Sequence, residues 1–399
     1  MNKLINKINE SVNGFIFSLK RTGFINIILT FILIITISTL GIYFVENQKN
    51  EEFTTTFDTL WYTIVTLSTV GYGDKTPITV GGRLLGILII LFGVAITGAV
   101  TGKIASYLVE KQLKEGRGLA DFSKLENHFI ICGWRRELPK ILKDILKVNP
   151  KIRSSNILLI NFAEPQKIED LRADRKLSKI KYIYGDYSDE SVLMRANIKK
   201  AKTVLILADQ TNPSATAHEI DSRTVMAVMT IESLTREVYT CAELLDPKFE
   251  QYLKLAYCDE IILSKAYSRI LLANAAAASG ISQVIHKLID VNSETPVKVI
   301  DFPANFIGKT FKELADYYQS RTNYILIGML ENTGNIYQRK KEALKEAQKT
   351  PDISKLVDNL QNVKKIKPND PVINPGENYR LKKHSKAIVI FSAKMGNKK

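Results

Sequence analysis

Cysteine is nearly missing from this 399-residue chain: Cys132, Cys241 and Cys258 are the only three. The count is odd, and none falls in CxxC or histidine-rich spacing. That excludes a disulfide framework and a structural zinc site, and it predicts three core thiols in a reducing compartment. Histidine is scarce as well, with four residues in all. The pair His218-Glu219 fails to become HExxH because Ser222 stands where the second histidine belongs, and His128, His286 and His384 are isolated. No Ser-His-Asp or Cys-His grouping stands out, so nothing predicts an enzyme. The net charge is +15, yet no run interleaves basic residues with aromatics as a nucleic-acid groove does. An anionic membrane face is the acidic partner that remains. Charge itself is missing from two stretches, residues 22–45 and 84–102.

Those two stretches are what the chain does have. A helix needs about 20 residues to cross a hydrocarbon core of ~30 Å, and both qualify. Residues 1–23 precede the first span. Their apolar positions Leu4, Ile5, Ile8, Val12, Phe15 and Ile16 predict an amphipathic interfacial helix in contact with membrane lipids. No small-residue cleavage site follows the first span, so it is not expected to be a removed leader. The loop after it holds Glu46, Glu51, Glu52 and Asp58 against Lys49, whereas Lys103, Lys111, Lys114 and Arg117 follow the second. Basic flanks on one side predict a multi-pass protein of the plasma (inner) membrane with both termini cytoplasmic.

Between the spans, TTFDTLWYTIVTLS (residues 55–68) is apolar, helical in pattern and too short to cross. It predicts a re-entrant helix. TLSTVGYGDKTP follows at residues 66–77. Extended backbone at membrane depth is tolerated only where it faces protein or water. To point successive carbonyls into a narrow pore, the backbone must alternate right- and left-handed conformations, and glycine favours the left-handed ones. Gly71 and Gly73 fit that need. Val70 and Tyr72 would turn outward, and Thr69 would add a hydroxyl. In this setting TVGYGD resembles the filter of the potassium channels, whose carbonyl rings replace the hydration shell of K+. The resemblance implies a filter of Thr69, Val70, Gly71, Tyr72, Gly73 and Asp74, with K+ as the conducted ion and a homotetramer of four filter segments. It implies an aromatic cuff at Trp61, within reach of Asp74. The carboxylate that relatives often carry four residues before the threonine is Val65 here. Among the glycines of the second span, Gly86, Gly93, Gly98 and Gly102, the resemblance places a gating hinge at Gly93, with close helix packing as the alternative. The Pro-Val-Pro bend and an arginine-repeat voltage sensor are absent. Residues 24–109 form the expected pore domain.

A different pattern opens at residue 124. Strands are predicted at 128–133, 156–162, 181–184, 203–208, 237–242 and 260–264. Helices are predicted between them at roughly 136–147, 165–176, 188–196, 214–234 and 247–256. This alternation predicts an α/β, doubly wound, Rossmann-like parallel sheet. Its ligand crevice lies at the carboxyl ends of the strands. There CGWRRELP keeps only Gly133 of a GxGxxG fingerprint. Gly133, Arg135, Glu164, Asp186 and Asp209 are the candidate nucleotide-binding residues, for NAD or another adenine nucleotide. HFIICGW, YIYGDYSDESVLMRANIKKAKTVLILAD and DEIILSKAYSR together resemble the regulator-of-potassium-conductance (RCK) domain. The resemblance implies a linker at 110–123, an N-lobe at 124–265 and a dimerising crossover helix at 266–292. It also implies a smaller α+β C-terminal lobe at 293–399, with a mobile or loosely helical polar insert at 338–370. It further implies RCK–RCK pairing, a gating ring that extends to an octameric form if extra soluble copies join, and an ion or small molecule as gating ligand. Relatives that use Ca2+ make Asp209, Glu243 and Asp246 candidate ligands, although Leu245 replaces a neighbouring acid. No methionine lies between Met1 and Met194 to start a soluble copy. The reading is a ligand-gated potassium channel. A potassium-uptake transporter subunit and a membrane-anchored dinucleotide-dependent oxidoreductase are the rivals.

Overall fold

The structure, a computed structural model, describes residues 24–349 and 353–391. The interfacial helix expected over residues 1–23 lies outside the described residues. The chain divides into two compact units, one ending at Leu113 and the other beginning at Lys114.

In the first unit, helix α1 spans Phe24–Glu46, α2 spans Thr56–Leu67 and α3 spans Val80–Gly116. Among the described residues, α1 and α3 are the helices long and apolar enough to cross a bilayer. Most of their large side chains, such as Leu29, Leu33, Leu84 and Leu91, are exposed. A helix apolar all round suits lipid or neighbouring chains rather than water. Helix α2 starts where a capping box forms: the Thr55 hydroxyl accepts from Asp58 N–H, and the Asp58 carboxylate accepts from Thr55 N–H. A small core of Ile42, Phe53, Leu67 and Ile89 holds the helices together.

In the second unit, six parallel strands run β1 (Phe129–Cys132), β2 (Ile157–Asn161), β3 (Lys181–Tyr184), β4 (Thr203–Ile206), β5 (Tyr239–Leu244) and β6 (Glu260–Leu263). Their order is β3-β2-β1-β4-β5-β6, the doubly wound arrangement that the β-α alternation predicts. Strand β2 (ILLIN) is buried at every position, as a strand covered on both faces must be. One face packs Ile130, Leu158, Ile183 and Val228, and the other packs Leu138, Leu142, Leu159 and Ile168. The helices between the strands are α4 (Leu138–Val148), α5 (Pro165–Ala173), α6 (Glu190–Arg195), α7 (Ala217–Leu234) and α8 (Glu250–Leu255). All three cysteines are buried, and desolvation raises each thiol's pKa, so none is an activated nucleophile.

The single crossover helix expected at 266–292 is two helices. Helix α9 (Ser264–Ala277) stops, and α10 (Ile281–Ile289) restarts from Gly280 at φ +87°. Alanine propensity carries α9 only until the Ser-Gly pair, and glycine takes the left-handed turn at little cost. Beyond it lies an antiparallel sheet ordered β7-β10-β8-β9, from β7 (Val297–Ile300), β8 (Tyr324–Glu331), β9 (Asp370–Ile373) and β10 (Lys386–Phe391). Helix α11 (Phe311–Arg321) covers it. The segment at 338–370 holds two helices, α12 (Ile336–Ala347) and α13 (Ile353–Lys364). The first is docked: the Asp259 carboxylate accepts from Ile336 N–H at 2.6 Å, and Asn335 Nδ2 donates to Val238 O at 3.0 Å.

Candidate ion filter and ligand crevice

Helix α2 ends at Leu67, and the chain after it is held by one carbonyl. Val65 O accepts from Val70 N–H at 3.1 Å and from Gly71 N–H at 3.2 Å. The backbone then alternates hand. Thr69 (φ +60°), Gly71 (φ +59°) and Gly73 (φ +74°) are left-handed, while Val70 and Tyr72 are not. No atom lies within 4 Å of where a Cβ would stand on Gly71 or Gly73. Torsion alone requires glycine there, at about 1–2 kcal/mol per residue otherwise. The left-handed Thr69 is the position the sequence did not announce, since threonine rarely adopts that conformation.

The outer end of the loop is strapped to α2. Trp61 Nε1 donates to Asp74 Oδ2 at 2.8 Å, and the Trp61 and Tyr72 rings lie 6° from parallel at 6.1 Å. Lys75 Nζ pairs with Asp58 Oδ1 at 2.8 Å and donates to Glu52 O at 2.8 Å. Thr76 N–H donates to Glu52 Oε2 at 2.8 Å. Sequence reasoning counted Glu46 among the acids of the loop after the first span, and the structure shows it fully buried. Its carboxylate accepts from Ile78 N–H (3.1 Å), Thr79 N–H (3.0 Å) and Asn50 Nδ2 (3.0 Å). Asn50 is four residues on, but Ile78 and Thr79 sit over thirty residues away in sequence, so no local pattern reveals the burial. Gly93 lies against the end of α2: a Cβ there would stand 2.8 Å from Leu67 O. Within the chain this is a close-packing position, and α3 runs through it without a break.

The crevice is built differently. Gly133 follows β1 at φ +86°, its N–H donating to Ile160 O at 2.9 Å. Trp134 N–H donates to Asp209 Oδ1 at 3.1 Å. Arg135 is paired with Glu243, which also accepts from Ala208 N–H at 3.0 Å. Arg223 stands 3.9 Å from Asp209 Oδ2, a buried oxygen with no hydrogen-bond partner. The turn's first two donors and its arginine are therefore committed, and a dinucleotide pyrophosphate does not fit this arrangement as it stands. Glu164 is exposed at the start of α5, and Asp186 accepts from Ser188 N–H and its hydroxyl in its own turn. Neither is brought against the Arg135–Glu243 pair by a bond.

The calcium candidates do not converge either. Asp246 accepts from Lys248 N–H, Glu243 faces Arg135, and among the described residues no group of three or more His, Cys, Asp or Glu could hold a metal ion. Calcium wants six to eight oxygens, which these side chains do not present together. Sequence reasoning missed Asn161 and Asp221. Asn161 Nδ2 donates to Gly133 O, and Asp221 accepts from Leu245 and Asp246 N–H. It also missed Glu232, whose Oε1 accepts from the Thr240 hydroxyl at 3.1 Å while Oε2 is buried without a partner. Burial pushes the Glu232 carboxyl up to about 8 and that of Asp259 to about 6.

Two apolar helices around a re-entrant helix and a hand-alternating loop, followed by a Rossmann-like lobe, define a pore protein with a regulatory domain. Residues 28–110 match the ion-channel family, and residues 124–255 match the calcium-activated potassium channel slowpoke-like RCK domain. The chain thus matches an ion-channel module followed by an RCK module, the combination that potassium channels with an RCK domain carry. It is 26% identical over 290 residues to the calcium-gated potassium channel TvoK of Thermoplasma volcanium, covering 72% of this chain and 80% of that protein. It is 28% identical over 294 residues to the putative potassium channel protein YugO of Bacillus subtilis, covering 73% and 84%. The solved GsuK channel aligns with a TM-score of 0.45 at 14% identity, over 92% of this chain and 56% of that one. The curated relatives are channels, not enzymes.

Proposed function

We propose that four copies of this chain form a K+-selective pore in the plasma membrane, opened by an ion or small molecule that binds the RCK lobes on the cytoplasmic side. The observation that carries it is the alternation of left-handed backbone at Thr69, Gly71 and Gly73. That alternation aims successive carbonyls one way, and four such loops around an axis make oxygen rings that replace the water of a stripped K+. Trp61, Asp74, Lys75 and Asp58 brace the loop from behind, so the rings keep the spacing on which selection depends.

The lobes pair through residues 264–289, where Tyr267, Ile270 and Leu272 are exposed and need a partner surface. A ligand biases the ring only by its different affinity for two ring shapes. The crevice around Asp209, Arg135 and Glu243 is the ligand's place in this reading, and the ligand must displace the Arg135–Glu243 pair, because the paired arrangement fits neither a dinucleotide nor calcium. The calcium-gated relative puts Ca2+ first among the probes and an adenine nucleotide second. Bending near Gly93 opens the pore, and the Leu67 contact loosens in the open shape.

Flux from liposomes holding the full chain tests the reading. Potassium must pass far faster than sodium, and Ca2+ or a nucleotide, added separately, must change the rate. Equal sodium and potassium flux ends the proposal. The uptake-transporter reading requires four filter segments per chain, and this chain has one. The oxidoreductase reading requires hydride transfer with a nicotinamide cofactor, which a spectrophotometric assay excludes or finds.

A further inference from the structure

The stretch that the sequence presents as a free linker is docked. Helix α3 ends on a glycine cap: Leu119 N–H donates to Lys114 O at 2.8 Å, and Gly118 is left-handed at φ +69°. The same residue is the first to join the RCK lobe. Gly118 O accepts from Tyr184 N–H at 2.9 Å, at the end of strand β3. Arg195, the last residue of α6, donates from Nη2 to Gly118 O at 3.1 Å and to Ala120 O at 3.2 Å. Phe122 N–H returns a bond to Arg195 O at 2.9 Å, and Asn197 Nδ2 donates to Leu125 O at 2.7 Å. Phe122 and Leu125 pack onto the lobe's core. Gly118 is buried, and a Cβ on it would stand 2.3 Å from Tyr184 N. Only glycine lets the backbone lie this close.

We propose that Gly118 and Arg195 form the joint through which the RCK lobe moves the pore helix. The inference rests on the gating reading above. A tether of fourteen loose residues would absorb small displacements of the lobe as slack. Here the helix cap and the lobe meet on one residue, Gly118, whose left-handed turn closes the helix and whose carbonyl is bonded to the lobe, so a shift of β3 or α6 reaches the end of α3 without slack. Arg195 is a positioning residue: it touches no ion and no ligand, and it fixes where the helix end is held. A guanidinium suits the task because its Nη2 alone serves two carbonyls, those of Gly118 and Ala120, and the group never loses its charge.

The test uses the full chain in planar bilayers and three variants, R195A, R195K and G118A. Amide hydrogen exchange is read at Tyr184 and Phe122. Wild type must protect both, and R195A and G118A must lose protection there while β1 and β2 keep theirs. In single-channel recordings, Ca2+ and NAD are added separately as probes. R195A and G118A must need about tenfold more of whichever probe acts, R195K must recover part of the response, and K+ over Na+ preference must not move. Where neither probe acts, the unliganded open probability must still differ between wild type and R195A. Free exchange at Tyr184 and Phe122 in wild type, or gating in R195A equal to wild type, overturns the joint. A wild-type chain that passes no potassium at all instead overturns the channel reading and leaves the exchange result to judge the docking.

Discussion

The filter loop and the crevice solve opposite problems. Residues 69–74 work through backbone, and the residues that shape and brace that backbone lie mostly within a dozen positions of it. The crevice works through side chains that pair across long intervals, such as Arg135 with Glu243 and Trp134 with Asp209. A site made of torsions must be rigid and is specified by residue type. A site made of paired charges can rearrange, because each pair is a bond that a ligand can replace. The contrast suits the proposed division of labour, in which the loop selects and holds still while the crevice senses and changes shape.

Substitutions sharpen that contrast, the largest effect first. Gly73→Ala forces a side chain into a left-handed torsion at about 1–2 kcal/mol per chain, a cost repeated in every chain of the proposed four-chain pore. Selective potassium flux in liposomes is expected to vanish while the RCK lobe melts normally. Arg135→Gln removes the partner of the buried Glu243 and leaves an uncompensated charge. It is expected to cost the lobe about 3 kcal/mol, read as a lower urea midpoint, with filter selectivity intact.

Glu232→Gln probes the α12 seam. The folded-state carboxyls of Glu232 and Asp259 lie above their ordinary values. Their contribution is therefore fully present in acid and is lost as pH rises from the ordinary range through about 6 and then about 8. The glutamine variant is expected to flatten the upper part of that loss by about 2 kcal/mol, measured by unfolding the full chain at pH 5 to 9. Lys75→Gln cuts the strap to Asp58 without touching the α2 cap. A part-exposed pair contributes little to stability, so current decay under sustained opening should quicken by no more than about fivefold.

Much of this architecture is visible in the residues before any coordinates. Uncharged runs mark α1 and α3, the Thr-x-x-Asp box marks the start of α2, and β-branched clusters place six strands to within two or three residues. The hand-alternating loop is legible because torsional demand and residue type coincide at Gly71 and Gly73. Thr69 escapes because its torsion is imposed by the bonds to Val65 rather than by its own preference. Glu46 escapes because its role is decided by Ile78 and Thr79, and Asp259 because its partner Ile336 is 77 residues on. The break at Gly280 had a local signal, the Ser-Gly pair, which the alanine run outweighed.

The docked segment at Gly118 has one more effect. Strand β3 is an outer strand of the parallel sheet, and a bare outer strand invites another chain to add itself there. The carbonyl of Gly118 occupies the amide at the end of that strand, and Lys181 at its beginning reaches Ser155 O. Another copy of the lobe thus meets a blunted border and is steered away from fusing its sheet to this one.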